Sequence, residues 1–138
     1  MRLSYLRLTT VLHLTAALIM AAPITPAGEE AAETGAKWLV LLDEQKYEES
    51  WKLSGSMFRE QVTEEQWVAA LKRSRDPMGE LVSRTASRVD FTKTLRGAPD
   101  AEYCIIHYRT ALRNKTITER LTLVMEDGKW QVSAYAIH

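Results

Sequence analysis

The hydrophobic pattern of the chain changes its period near residue 80. Before that point apolar residues recur every three or four positions, as in helices packed on one face; after it apolar and polar residues alternate, as in half-buried strands. Helices followed by strands indicate an α+β domain. We therefore expect three N-terminal helices packed on one face of a curved four-stranded antiparallel sheet.

Three helices are predicted in the N-terminal half. The first covers residues 28–47 and a short second helix covers residues 47–53. Residues 54–56, with the sequence SGS, are expected to form a turn. The third helix begins at Thr63, because TEEQ is a capping-box sequence, and ends before Pro77.

Four strands follow the helices. Two are predicted at residues 81–95 and 102–113, and the segment 116–137 forms a hairpin with Asp127-Gly128 at its tip. A turn at Asn114-Lys115 connects the second strand to this hairpin. Both turns place the same apolar side chains on one inner face. The predicted inner-face pairs in the hairpin are Met125–Trp130, Leu123–Val132 and Leu121–Ala134. Those across the preceding turn are Leu112–Ile117, Tyr108–Leu121, Ile106–Leu123 and Cys104–Met125. On the outer face, Arg109 is predicted to lie opposite Arg120, and Ile105, His107, Val124 and Tyr135 point outward.

The first 27 residues have the pattern of a signal peptide. Arg2 and Arg7 precede an apolar run at 11–22, which is short for a membrane span. We prefer cleavage after Ala27, with Ala22 as the alternative, because Pro23 would follow a cut at Ala22. The protein is then exported to the periplasm or the extracellular space, has no membrane span after processing, and consists of a single domain at 28–138. An uncleaved anchor helix is the other interpretation of this run.

Charge and cysteine content exclude several classes of function. The chain has 18 basic and 18 acidic residues, and removal of the two leader arginines gives a net charge of −2. A protein that binds nucleic acid usually carries an excess of basic residues, so this charge balance argues against a nucleic-acid partner. The single cysteine, Cys104, is expected to be buried. One cysteine with His107 and His138 provides no metal-ligand set, and no cofactor motif is present.

Aromatic, glycine and charged residues recur at fixed spacings in two blocks. The first contains KWL at 37–39 and PMG at 77–79; the second contains GAPD at 97–100 and DGKW at 127–130. Together they resemble the family catalogued as domain of unknown function 4019, small exported bacterial proteins. The order of helices and strands is also similar to the nuclear transport factor 2-like superfamily. That resemblance implies a cone-shaped fold with a cavity between sheet and helices, but no particular activity.

The inner face offers two candidate acid-base residues. Glu119 is predicted one pair beyond the apolar layer, where a carboxyl group could have a raised pKa, and Tyr108 could supply a phenol. The alternative is that Glu119 lies in water at the open rim and that Tyr108 is a core residue with its hydroxyl satisfied; a basic residue such as Arg84 pairing with Glu119 would strengthen this alternative. An apolar cavity could be lined by Trp51, Trp67, Tyr108 and Leu121, although aromatic residues at helical spacing are usually core.

Three functions remain open at this point. The preferred one is non-catalytic binding of a small apolar ligand or a partner protein, including a second copy of the chain. The second is an isomerase- or dehydratase-like enzyme that uses Glu119 and Tyr108. The third is a cell-envelope structural or dimerisation module that pairs with an envelope protein or with itself through the outer sheet face.

Overall fold

The computed structural model describes residues 25–138, so the predicted leader lies outside the described residues except for its last three positions. Four helices precede a four-stranded antiparallel sheet, which confirms the α+β class. A single 3-10 turn, Asp76–Met78, separates the two parts. The helices are α1 (Pro26–Asp43), α2 (Tyr47–Lys52), α3 (Ser56–Gln61) and α4 (Glu64–Ser74), and the strands are β1 (Leu81–Thr92), β2 (Tyr103–Leu112), β3 (Thr116–Glu126) and β4 (Lys129–Ile137).

The predicted capping box opens α4. The hydroxyl of Thr63 accepts a hydrogen bond from the Gln66 backbone N–H at 3.2 Å, and the Gln66 side chain accepts one from the Thr63 N–H at 3.1 Å. These two bonds satisfy donors that the first turn of a helix leaves free. At α1, Thr25 is the N-cap and Pro26 is the first helical residue.

The number of helices differs from the prediction. The prediction of three missed α3, the six residues Ser56–Gln61. A helix of fewer than two turns shows too few apolar repeats for a period to be recognised, so its stability comes from packing, here of Phe58 into the core. Residues 53–55 connect α2 to it, and Ser56, the last residue of the predicted SGS turn, is the first residue of α3.

The strands form a sheet in the order β1-β2-β3-β4. Two predicted hairpin pairs, Met125–Trp130 and Leu123–Val132, are confirmed. The third is wrong, because an extra residue in β4 near Ser133 shifts the register and places Leu121 opposite Tyr135. A one-residue bulge exchanges inward and outward positions. Tyr135 therefore lies on the inner face, where its ring is 5.6 Å from that of Trp38.

The β2–β3 turn lies one residue earlier than predicted. Leu112 and Lys115 exchange backbone hydrogen bonds, so Arg113 and Asn114 form the turn. Each residue of β2 consequently pairs two positions earlier on β3. The predicted pairs are therefore wrong while the faces are right, since side chains alternate with a period of two. The observed pairs are Tyr108–Glu119, Ile106–Leu121, Cys104–Leu123, His107–Arg120 and Arg109–Thr118.

The core lies between the helices and the inner face of β2, β3 and β4. Helix α1 approaches the sheet closely at Gly35, where an added Cβ would lie 2.9 Å from Leu121 Cδ2 and 3.3 Å from the Tyr108 hydroxyl. Cys104 is buried, as expected. The buried apolar cluster contains Ala31, Trp38, Leu39, Leu42, Tyr47, Phe58, Trp67, Leu71, Cys104, Ile106, Tyr108, Leu121, Leu123, Trp130 and Val132.

Candidate functional site

Glu119 is the centre of a buried polar network on the inner face. Its carboxylate is 0 % exposed, and it accepts hydrogen bonds from the Tyr135 hydroxyl at 2.6 Å and from Thr110. Arg75 Nη1 and Arg84 Nε donate to its two oxygens, each at 2.6 Å. The interpretation that Glu119 lies in water at a rim is therefore wrong. The pairing with Arg84, which would favour a structural role for Glu119, is present.

Asp43 completes a ring of four charges with Arg75, Glu119 and Arg84, which we call the charge ring. Arg84 Nη1 donates to Asp43 Oδ2 at 2.7 Å, and Arg75 Nη2 donates to Asp43 Oδ1. Two positive and two negative groups alternate, so the ring is neutral. It joins the end of α1, the end of α4, β1 and β3. Both arginines are buried or nearly so, which makes each bond costly to break.

The hydrogen bonds that Glu119 accepts determine its ionisation. Burial by itself would raise the pKa of Glu119, but hydrogen bonds from Arg84, Thr110 and Tyr135 outweigh it and lower the pKa to about 2. The raised pKa considered for an acid-base role is thus not found. A carboxylate this weakly basic, with both oxygens occupied, is a poor proton acceptor at neutral pH.

Tyr108 is the cross-strand neighbour of Glu119. Burial raises the pKa of the Tyr108 phenol to about 12. The fold thus brings the two predicted acid-base residues together, while Glu119 is held by Arg75 and Arg84 and kept from solvent. Their catalytic role stays a prediction, and this geometry does not favour it.

The side chains predicted to line an apolar cavity pack against the core. Trp67, Tyr108 and Leu121 belong to the buried cluster, and Trp51 packs on its margin with its indole N–H donating to the Val62 carbonyl at 2.8 Å. The Trp67 ring is 4.9 Å from that of Phe58 in an edge-on arrangement. Close aromatic packing is typical of a filled core. A ligand site among these residues stays a prediction.

A small polar groove of about 240 Å³ lies beside the charge ring. It is lined by Asp43 and Arg75 and by a second hydrogen-bonded pair, in which the Tyr47 hydroxyl donates to Asp76. Since Arg75 and Asp43 already bond each other, this groove offers a ligand few unsatisfied groups. Within residues 25–138, no group of three metal-binding side chains is present.

The least covered part of the described chain is β1. Val89 and Phe91 pair with the buried Ile106 and Cys104, and so lie on the inner face, yet they are 45 % and 52 % exposed. Val82 is 70 % exposed. Among the described residues no helix packs along this strand. The apolar strip of β1 is therefore a candidate interaction surface.

The sequence does not identify Arg75 and Tyr135 as partners of Glu119, or Asp43 as the second carboxylate bound by Arg75 and Arg84. Asp43 and Arg75 lie 76 and 44 positions before Glu119 in the chain, and no local pattern connects them. Tyr135 was assigned to the outer face because the bulge near Ser133 has no sequence signal of its own. A run of alternating apolar and polar residues can form a strand with such a bulge or without one.

Comparisons with known proteins identify the family and no activity. No helix within residues 25–138 has the length and apolar character that crossing a membrane requires. A search of curated proteins gives no match. The family model described as "Protein of unknown function (DUF4019)" matches residues 34–135, which covers β1 to β3, most of β4 and most of the helical layer. The chain therefore belongs to the DUF4019 family.

Proposed function

We propose that the protein is a non-catalytic protein-interaction domain that pairs with a second copy of itself along β1. The observation that carries the proposal is the uncovered edge of this strand. An edge strand presents unpaired backbone N–H and C=O groups, which can form a ladder with a strand from another chain. The 12 residues of β1 are long enough for such a ladder.

The side chains of β1 support pairing with another protein surface. Val89 and Phe91 form an apolar strip beside the unpaired backbone. Bulges lie near Val82 and Ser87, so the regular part of the edge is the segment 88–92. A strand added here would cover the strip and satisfy the backbone at the same time.

Charge complementarity favours a second copy as the partner. Two antiparallel copies related by a two-fold axis can be centred on Asp90 or on Val89. Centring on Asp90 places two aspartates directly opposite each other, which is destabilising. Centring on Val89 places Arg88 of each copy opposite Asp90 of the other. Both side chains are at the surface, where they pair with each other at 2.6 Å within one chain and can exchange partners.

The test is a charge exchange followed by mixing. Arg88→Asp should give two aspartate–aspartate oppositions across the pairing, and Asp90→Arg should give two arginine–arginine oppositions. Each variant should weaken self-association at least about tenfold, measured by sedimentation equilibrium. An equimolar mixture should recover association, because the introduced aspartate of one variant then faces the introduced arginine of the other.

The mixture separates pairing between chains from pairing within a chain. Neither variant regains its own Arg88–Asp90 pair on mixing, so recovery requires contact between copies. Arg113→Asp is the control, since Arg113 lies in the β2–β3 turn with an exposed side chain. A monomeric wild-type protein, or variants that stay monomeric when mixed, would refute self-pairing along β1.

We propose a small apolar ligand as a second candidate partner, in a different place from the one predicted. A groove of about 400 Å³ at the start of α1 is lined by Phe91, Tyr103 and Trp130. The indole N–H of Trp130 is buried without a hydrogen-bond partner among the described residues. A ligand with an apolar body and one acceptor atom would satisfy both features. Trp130→Phe should then reduce retention of a hydrophobic dye such as 1-anilinonaphthalene-8-sulfonate, and unchanged retention would contradict this candidate.

We further propose that the protein is exported, on the strength of the sequence of residues 1–27. Thr25 caps α1 and Pro26 begins it, so cleavage after Ala27 would remove the cap and the first two helical residues, while cleavage after Ala22 would keep them. Amino-terminal sequencing of the secreted protein distinguishes a start at Gly28 from one at Pro23. Retention of Met1 in the cytoplasm would contradict export.

A further inference from the structure

The described chain has a charge separation that the near-zero net charge conceals. Residues 25–80, which contain the helices, carry twelve acidic and seven basic side chains, whereas residues 81–138, which contain the sheet, carry six acidic and nine basic ones. Three of the basic groups in this range, Arg84, Arg88 and Arg113, are paired with carboxylates. The sheet half therefore presents an excess of positive charge.

This positive charge includes arginines of the outer face of the sheet. Arg120 on β3 lies opposite His107 on β2, and Arg109 lies two positions further along β2, so these side chains share one face. Arg96 belongs to the loop between β1 and β2. Arg96, Arg109 and Arg120 form no salt bridge with any residue in 25–138. Arginines that converge without an acidic partner repel one another unless an anion lies between them.

Two of these arginines, Arg96 and Arg120, line the same groove of about 400 Å³. Its lining includes the loop residues Arg96, Gly97 and Ala98 and the strand residues Arg120, Thr122 and Ser133. Thr122 and Ser133 are largely buried, and the Ser133 hydroxyl donates a hydrogen bond to the Thr122 carbonyl at 3.3 Å, so the two arginines are the charged groups that the groove offers a ligand. A planar guanidinium group can bind a phosphate group with two parallel hydrogen bonds.

We propose that this groove binds the phosphate group of a small anionic ligand, with Arg96 and Arg120 as the two cationic contacts. The ligand chemistry is a phosphate monoester or diester, which a soluble metabolite or a lipid headgroup could supply. The site is separate from the edge of β1 and does not depend on self-association. It also differs from the charge ring, whose arginines are already bonded to carboxylates.

The experiment uses two probes that distinguish the sources. Inorganic pyrophosphate is titrated into the protein by calorimetry at low ionic strength, and flotation measures binding to phosphatidylglycerol vesicles, with phosphatidylcholine vesicles as the neutral reference. Arg96→Gln and Arg120→Gln should each weaken binding about tenfold, as expected for the loss of a charge-assisted contact. Raised salt should weaken binding in both arms.

Arg113→Gln is the matched control, because Arg113 is also an exposed arginine of the sheet half but lies at the β2–β3 turn and pairs with Glu80. It should bind like the wild-type protein. Binding of pyrophosphate supports a soluble ligand, and binding of vesicles alone supports a lipid headgroup. The proposal is overturned if neither probe binds, or if Arg113→Gln weakens binding as much as Arg96→Gln and Arg120→Gln do while circular dichroism shows all three folded.

Discussion

The two edges of the sheet are treated differently by the rest of the molecule. At the β4 edge, the Gly55 backbone N–H donates to the Val132 carbonyl at 2.9 Å, and α1 and α3 pack on the strand. At the β1 edge, no helix within residues 25–138 packs along the strand, and Arg84 in the charge ring is its chief contact with the helical layer. One edge is thus closed by backbone contact and the other is held by buried charge.

This difference shows that the two edge strands of one sheet can be protected unequally against pairing with a strand of another chain. The close approach at β4 requires a glycine, because a Cβ on residue 55 would lie 2.9 Å from Gln131 Cβ. β1 relies on bulges and charged side chains, which are weaker barriers to another strand. The weaker barrier is where we place the interaction with a second copy.

Of the changes considered, removal of the Arg84 side chain from the charge ring should have the largest effect on stability. Arg84→Met leaves Asp43 and Glu119 buried with one arginine between them, so we expect the free energy of unfolding to fall by about 3–5 kcal/mol. Urea denaturation measures the loss. Amide hydrogen exchange should rise in β1 more than in β4.

Arg113→Met is the matched control for Arg84→Met, since Arg113 also pairs with a carboxylate, that of Glu80, but both side chains are largely exposed. Its cost should be below about 1 kcal/mol. Equal losses for the two variants would show that the buried ring does not hold β1.

Low pH should weaken the contact between Arg84 and Glu119 in the charge ring and so destabilise the fold. The pKa of Glu119 is lowered from 4.5 to about 2 in the folded protein, so its ionised form stabilises the fold above about pH 4.5, and that contribution is lost as the pH falls towards 2. The loss should be on the order of 3 kcal/mol by urea denaturation between pH 5 and pH 2. Glu119→Gln should show a flatter pH dependence than the wild-type protein. Identical slopes would contradict this assignment.

A single methyl group added at residue 55 should disrupt the contact that covers the β4 edge. Gly55→Ala should cost about 1–3 kcal/mol, because the new Cβ forces the α2–α3 connection away from β4. Gly55 has an ordinary backbone φ of −67°, so the cost would come from the contact and not from backbone strain. Exchange of the Gly55 amide should increase, while β1 stays unchanged. Full protection of that amide would show that the edge tolerates the methyl group.

The sequence predicted which sheet face a side chain lies on more reliably than which residues pair across neighbouring strands. The β2–β3 turn was predicted one residue late, and every pair moved by two positions, yet Ile106 and Leu121 stayed on the inner face. The same alternation gave a wrong face for Tyr135, because the bulge near Ser133 adds a single residue. Errors of two positions preserve a face and errors of one position reverse it.

The order of helices and strands, the capping box of α4, the burial of Cys104 and the inner face of β2 and β3 follow from the sequence alone. Each depends on residues close together in the chain, whose spacing carries the signal. The charge ring and the exposure of β1 were decided only by the tertiary structure. Asp43, Arg75 and Glu119 meet because distant segments pack together, and whether a strand's apolar side chains become covered depends on where the helices end.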